Sequence, residues 1–361
     1  MDTIQDVTAQ CPQDLALVKK YINQVQSAIL KIQQDENITD LKFVDYLELN
    51  ELKCTKCRNL NFNSVPKKLS KLILTQSYFK NLTGLKQMIQ LTELNINVCR
   101  MYDISELNYL RNLTKLSLET NNIKDISALK DLNLLTELNL NQNKIKSIQA
   151  LKFLTKLLNL QFDDNFVEDI FPIRNLTQLI VLFFQRNDVN DISALKYTTN
   201  IEQLYFDENQ VVDISTLSKL KQLSSISFCN NKVVLIESLN QLNSINDAGI
   251  YNNYIIDLPS IKNRNLFQEG CERNGMDYDE FVTQNIPTPA QILFAMKQKA
   301  MLQSKEQDEK SLQLKQHFVT KQMILRSKIK DLSNKMMNSH VQFTHHIALM
   351  FQKLSHNQEQ E

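Results

Sequence analysis

Apolar residues return every 22 positions over most of this chain: Leu69, Leu91, Leu113, Leu135, Leu157, Leu179, Ile201, Leu223 and Ile245 open successive segments of one pattern. The run from Leu135 shows the frame, with Leu138, Leu140, Ile145, Ile148, Leu151 and Leu154 as its apolar positions. No other feature narrows the fold as far, because one such segment cannot fold alone. Seven or eight buried apolar side chains at ~1.5–3 kcal/mol each return ~10–24 kcal/mol. Ordering the backbone of one segment costs ~22–44 kcal/mol. Each segment must share its apolar faces with neighbours, so the chain is a solenoid of stacked turns. Counted from Leu69 there are eight full turns and a truncated ninth, preceded by a shorter, degenerate turn from Leu49.

Two polar columns keep step with the period. The ninth position holds Asn121, Asn143, Asn165, Asn187, Asn209, Asn231 and Asn253, with Cys57, Ser77 and Cys99 in the earlier turns. An asparagine there both donates and accepts, so stacked copies can satisfy backbone groups that a bend leaves unpaired. The thirteenth position holds Asp103, Asp125, Asp169, Asp191, Asp213 and Asp257. An aspartate before Ile-Ser-x-Leu reads as a local cap on the amides of a short convex turn. A cation ladder is the alternative, but an oxygen cage needs several ligands converging on one ion.

The expected fold class is an α/β solenoid: a curved right-handed superhelix with short parallel strands on its concave side. Ten strands ~4.8 Å apart would give an arc of roughly 45 Å. The frame Leu-x-x-Leu-x-Leu-x-x-Asn-x-Ile-x-x-Ile-x-x-Leu-x-x-Leu resembles the 22-residue leucine-rich-repeat class typified by a regulatory subunit of protein phosphatase 1. The Asp-Ile-Ser words at Asp125 and Asp191 are similar to internalin repeats. The resemblance covers about 210 of 361 residues and implies a binding scaffold, not a named partner.

Residues 13–34 carry Leu15, Val18, Ile22, Val25, Ile29 and Ile32 at alternating spacings of three and four, which predicts an amphipathic helix covering the amino-terminal end. The expected organisation is a helical cap over 1–40, the solenoid over 41–260 and a closing cap over 261–288 that contains Tyr278, Phe281 and Val282. A long helical tail over 289–361 follows. In that tail Phe318, Gln322, Leu325, Ile329, Leu332, Met336 and Phe343 form an impure heptad seam, skipping one position at Ser339. Self-association through residues 310–355 and two helices folded on each other are equally compatible with it.

Forty-one basic residues against forty acidic ones give a charge of +1, so no global field favours nucleic acid or an anionic membrane. The start Met1-Asp2-Thr3-Ile4-Gln5-Asp6 lacks the basic and apolar regions of a secretory signal, and no apolar run is long enough for a span. The expected setting is the cytoplasm, with a nuclear or cytoskeletal location left open. The six cysteines are expected to be reduced. The pair Cys54-Thr-Lys-Cys57 has zinc-knuckle spacing, but both residues fall on interior repeat positions and no second pair accompanies them. His340, His345, His346 and His356 lack partners at ligand spacing. No nucleophile arrangement or phosphate loop is found, so neither catalysis nor a cofactor is expected.

Function is therefore sought at the variable concave positions, two, three, five, seven and eight of each turn. Early turns present mild polar groups such as Thr92, Glu93, Asn95 and Asn97. Later turns present Gln161, Asp163 and Asp164, then Phe183, Gln185 and Arg186, then Tyr205, Asp207 and Glu208. Tyr251 follows two strands beyond, with Ser227 between. Exposed aromatics rimmed by charge are the anchors that protein interfaces favour. Asp163, Asp164, Phe183, Gln185, Arg186, Tyr205, Asp207, Glu208 and Tyr251 are the candidate partner-binding residues. The simpler alternative is that Phe183 and Tyr205 merely pack on each other across adjacent strands. A phosphatase regulatory subunit, a cytoskeletal or ciliary adaptor using its tail, and an internalin-like adhesin are three forms such a scaffold could take.

Overall fold

The computed structural model describes residues 6–9, 29–33, 50–57, 62–65, 67–79 and 81–255. One parallel sheet runs through them in chain order. Its strands are β1 (Asp6–Ala9), β2 (Ile29–Gln33), β3 (Glu51–Thr55), β4 (Lys71–Thr75), β5 (Glu93–Asn97) and β6 (Lys115–Ser117), then β7 (Glu137–Asn139), β8 (Asn159–Gln161) and β9 (Val181–Phe183). β10 (Gln203–Tyr205), β11 (Ser225–Ser227) and β12 (Asp247–Gly249) complete it. From β4 onward each strand pairs with the residue one period ahead, Lys71 with Glu93 and Glu93 with Lys115. The turn from β3 to β4 is shorter, pairing Glu51 with Lys71, which is the degenerate turn expected from Leu49.

Three-residue strands suffice because only the central residue and the one two places on need to face inward. In β7, Leu138 is buried between exposed Glu137 and half-buried Asn139, and Leu140 turns inward just after. The chain then crosses the core and returns through short 3-10 segments such as Ser105–Tyr109, Gln149–Phe153 and Ser193–Tyr197. Each buries a leucine from the opposite side, here Leu107, Leu151 and Leu195. Thr198 takes a place that leucine holds in the adjacent turns, and its hydroxyl donates to the Leu195 carbonyl at 3.1 Å, so no buried polar atom is stranded.

The amino-terminal region differs from the expected helix. Asp6–Ala9 and Ile29–Gln33 are strands of the same sheet, and the register sets Leu30 opposite Leu52 and Ile32 opposite Cys54. The sheet thus begins before residue 41. Residues 29–33 satisfy two apolar patterns at once, since Leu30 and Ile32 alternate with period two while Ile29 and Ile32 fit a helical stripe. Pairing with β3 decides between them, because an open strand edge is satisfied by another strand and not by a helix. The expected cap at 261–288 and the tail with its seam at 310–355 lie outside the described residues.

The ninth-position asparagines form the ladder that the sequence implies. Asn187 is buried, its Nδ2 donates to the carbonyls of Phe162, Phe184 and Gln185 at 3.0–3.1 Å, and its Oδ1 accepts from Val167 N at 3.0 Å. Asn143, Asn165, Asn209, Asn231 and Asn253 repeat this geometry. One residue earlier the backbone is left-handed, at Gln142, Asp164, Arg186, Glu208, Asn230 and Asn252, with φ of 51–56°. A non-glycine residue there costs ~1–3 kcal/mol. The strain is offset because the N–H groups of Gln142, Asp164, Arg186, Glu208 and Asn230 each reach a carbonyl of the next turn, as Arg186 N does to Asp207 O at 2.8 Å. Asp103, Asp125, Asp169, Asp191 and Asp213 cap as expected, each Oδ1 accepting from the amide two residues on at 2.7–2.9 Å.

Beneath the later strands Phe162, Phe184, Phe206 and Phe228 stack in one fully buried column, with centroids 5.5–5.6 Å apart and rings within 17° of parallel. Leucine or isoleucine fills the equivalent place in the turns before, at Leu74, Ile96, Leu118 and Leu140.

Candidate partner-binding face

The outward positions of the sheet differ between its two halves. At the third position the early strands read Glu51, Lys71, Glu93, Lys115 and Glu137, an alternation that the parallel register lays side by side. Lys71 reaches Glu93 at 3.0 Å and Glu51 at 3.9 Å, and Lys115 reaches Glu137 at 2.6 Å. This half of the face neutralises itself. From β8 the same column reads Asn159, Val181, Gln203, Ser225 and Asp247, with no cation.

At the fifth position Gln161, Phe183, Tyr205, Ser227 and Gly249 stand in register. The Phe183 and Tyr205 rings stack at 4.5 Å and 7°, both half-buried on the open side of the sheet and not in its core. The Tyr205 hydroxyl hydrogen-bonds the Ser225 hydroxyl at 2.7 Å, which fixes the ring across the next strand. The cross-strand packing considered from the sequence is thus present, and it holds two flat edges outward as one rigid unit.

The seventh position carries a function that the sequence reading missed. Asp163 Oδ1 accepts from Gln185 N at 2.6 Å, and Asp207 Oδ1 accepts from Cys229 N at 2.6 Å. Asn97 and Asn141 accept in the same way from Glu119 N and Asp163 N. These side chains close backbone donors at the point where the strand ladder ends. Asp207 also accepts from Ser227 Oγ and from Gln185 Nε2, each at 2.5 Å. The seventh column reads Asn97, Glu119, Asn141, Asp163, Gln185, Asp207, Cys229 and Tyr251, so the short acceptors are interspersed with other residues and no unbroken series in the sequence marks this role. Burial pushes the Asp163 carboxyl up to about 6, against the pull of the Gln185 amide and the Arg186 charge.

Arg186 donates from Nε and Nη2, one edge of its guanidinium, to both carboxylate oxygens of Asp164, with Nη2 to Oδ2 at 2.7 Å, and its Nη1 lies 3.8 Å from Glu208. The hydrogen bond to Asp164 raises the guanidinium pKa further above its ordinary value. Tyr251 is not in the aromatic column: Gly249 occupies that place, and Tyr251 follows Asp207 and Cys229 in the seventh column, half-buried against the core. Its hydroxyl pKa is raised, first by neighbouring Cys229, then by burial and by the charges of Asp207 and Glu208.

Cys54 and Cys57 are both fully buried at interior positions, and contact with each other raises the Cys54 thiol well above its ordinary value. Among the described residues no three His, Cys, Asp or Glu side chains are grouped to hold a metal ion, and no helix is long and apolar enough to cross a membrane.

No protein-family model and no curated protein matches the chain. Solved structures do. An internalin (InlF) of Listeria monocytogenes superposes with a TM-score of 0.56 at 23% identity, covering 66% of this chain and 76% of its own. A leucine-rich-repeat protein of Leptospira interrogans gives 0.55 at 19%, covering 69% and 78%. The functional domain of InlJ from Listeria monocytogenes gives 0.51 at 16%, covering 70% and 64%. The chain folds as a leucine-rich-repeat solenoid. Within the leucine-rich-repeat frame the leucine, asparagine and thirteenth-position aspartate columns are consumed by folding, and the third, fifth, seventh and eighth columns vary from turn to turn.

Proposed function

We propose that this leucine-rich-repeat chain is a non-catalytic scaffold that binds a protein partner on the open sheet face from β8 to β12. The observation that carries the reading is the Phe183–Tyr205 pair, two stacked rings held outside the core beside Asp163, Asp164, Arg186, Asp207 and Glu208. A rigid aromatic edge loses little conformational entropy on binding and offers large contact area, the usual character of an interface anchor. Gln185 locks one rim of the pair through its bond to Asp207, and Tyr251 stands two strands beyond Tyr205 in the seventh column.

The test is capture of partners from lysate by the full chain and by Phe183→Ala with Tyr205→Ala, read by mass spectrometry. The double variant should lose its specific partners while its thermal melt stays close to that of the parent, since neither ring belongs to the buried column. Unchanged capture refutes the reading.

A reduced cytoplasmic setting is part of the same reading; the four described cysteines are all buried. Tagged localisation distinguishes the forms the scaffold takes: diffuse or nuclear signal for a phosphatase-type regulator, filament-bound signal for a cytoskeletal or ciliary adaptor, export for an adhesin. Self-association through residues 310–355 is checked by sedimentation with and without residues 290–361, and a monomer in both cases removes it.

A further inference from the structure

The exposed face is electrically divided. At positions two, three, five, seven and eight of the turns from Leu49 to the one opening at Leu135, Lys53, Lys56, Lys71 and Lys115 balance Glu51, Glu93, Glu119 and Glu137. Three ion pairs along the third column join Lys71 to Glu51 and Glu93, and Lys115 to Glu137. At the same positions from Leu157 onward, Asp163, Asp164, Glu202, Asp207, Glu208 and Asp247 stand against Arg186 alone. That single cation is engaged by Asp164 and Glu208. Four against four becomes six against one, on one continuous sheet.

The change in charge coincides with a step in shape. In the fifth column the large side chains end at Tyr205, and the next two strands carry only Ser227 and Gly249 there. A Cβ at Gly249 would lie 2.5 Å from Ser227 Oγ and 3.0 Å from Cys229 Sγ, so a larger residue would push these side chains aside. One face of the Tyr205 ring is covered by Phe183, and the other looks along the face over these small residues, with no ring or cation against it among the described residues. Asp247 sits at one side of the step, where Ser225 Oγ donates to it at 3.2 Å. Asp207 and Glu208 stand at the other. An aromatic face bordered by carboxylates on both sides favours an ammonium or guanidinium group, through the ring quadrupole and through charge together. The raised pKa of the Cys229 thiol, pushed up to about 12 by burial first and by Asp207 second, registers the same negative field.

We infer that the occupant of this face is a basic protein segment, with a lysine or arginine side chain against the free face of Tyr205 and further cations meeting Glu202, Glu208 and Asp247. The inference rests on the protein-binding reading above and adds the chemistry of the partner. The balanced half from β3 to β7 adds no comparable attraction, so the segment lies over β9 to β12.

The probes are three fluorescein-labelled peptides of about 15 residues, identical in leucine content, with lysine, glutamine or glutamate at the alternating positions. Each is titrated into the full chain by fluorescence anisotropy at about 50 and about 300 mM salt. The lysine peptide should bind at least ~10-fold more tightly than the glutamine peptide, lose affinity at the higher salt, and outcompete the glutamate peptide throughout. Glu208→Gln with Asp247→Asn should weaken it ~5–20-fold, Tyr205→Leu by a similar factor, and Glu93→Gln in the balanced half should leave it unchanged. Equal binding of all three peptides that is lost on Tyr205→Leu overturns the basic partner while leaving the protein-binding face intact. No binding of any peptide, or lysine binding indifferent to these variants, overturns the inference; partner capture then judges the broader reading separately. Sedimentation showing a dimer of the full chain that Glu208→Gln with Asp247→Asn dissolves assigns the face to a second copy and overturns it as well.

Discussion

Replacing Asn187 by alanine and by aspartate separates the two things the asparagine ladder does. The side chain accepts from Val167 N and donates to three carbonyls. Asn187→Ala removes both. The carbonyls of Phe162 and Phe184 keep a second donor each, from Asn165 and Asn209, so they are weakened and not orphaned. Val167 N has no such reserve, and a buried unsatisfied amide costs ~1–3 kcal/mol. With the net loss of the donated bonds the total is ~2–5 kcal/mol. Asn187→Asp keeps the acceptor for Val167 N but turns the three donated contacts into oxygen facing oxygen. A carboxylate so placed has its pKa raised in the folded state, so its neutral form is stable below the unfolded pKa and stability is lost as pH rises through the folded value. The expected order at pH 7.5 is parent, then Asn187→Ala, then Asn187→Asp, with the last two converging near pH 4.5. Urea unfolding of the full chain, followed by far-UV circular dichroism and by tyrosine emission, reads this directly, because the chain has no tryptophan. An Asn187→Asp variant as stable as the parent at pH 7.5 would show that the donated bonds contribute nothing, and the ladder argument would fall.

Three further outcomes follow from the same geometry. Asp163, with its carboxyl pushed up to about 6, contributes stability that is complete below its unfolded pKa and is lost as pH rises through about 6. Asp163→Asn, which keeps the acceptor for Gln185 N, should flatten that decline when urea midpoints at pH 4.5 and pH 7.5 are compared. Gly249→Ala should cost ~1–3 kcal/mol by overpacking, and most of the loss should vanish beside Ser227→Ala, as a double-mutant cycle of unfolding free energies will report. Phe206→Leu breaks two ring stacks in the buried column and should lower stability by ~1–3 kcal/mol in the same assay, whereas Tyr205→Leu, on the open face, should change it less.

The parts of the fold that were legible in the sequence are those in which one residue type answers a local backbone need. Asn143 or Asp125 meets the same bend or the same cap in every turn, so identity at a fixed period was enough. The strand at Ile29–Gln33 was not legible because five residues cannot separate a period of two from a stripe of three and four, and the deciding contact is a neighbouring strand. Asp163 and Asp207 stood out as charged and exposed candidates, yet each also closes an amide of the following turn, a partner 22 residues away that no local pattern announces. Tyr251 was grouped with Phe183 and Tyr205 by aromatic character, but its place in the turn sets it in a different column. Charge balance, by contrast, could be read only after the register had assigned each residue a neighbour.

The ladder also has a direction. Ile145 N, Val167 N, Val189 N, Val211 N and Val233 N each bond the asparagine of the turn that follows, and the left-handed residue of each turn donates forward too. Looking backward, Asn165 still has the carbonyls of Phe162 and Asp163 in its own turn if the preceding turn is missing. The asparagine ladder of a turn is therefore completed by its successor, while the amides at its second, third and tenth positions donate to its predecessor, as Thr136 N and Glu137 N do to Thr114 O and Lys144 N to Ile123 O. For a chain made from its amino end, the newest turn carries an open amide until the next one emerges, and closing it locks the turn behind. Synthesis and the ladder run the same way, so the nascent solenoid advances with one unfinished edge: removing turns from the carboxy side opens amides such as Val167 N, which bond the following asparagine, and removing them from the amino side opens a different set, such as Thr136 N and Lys144 N.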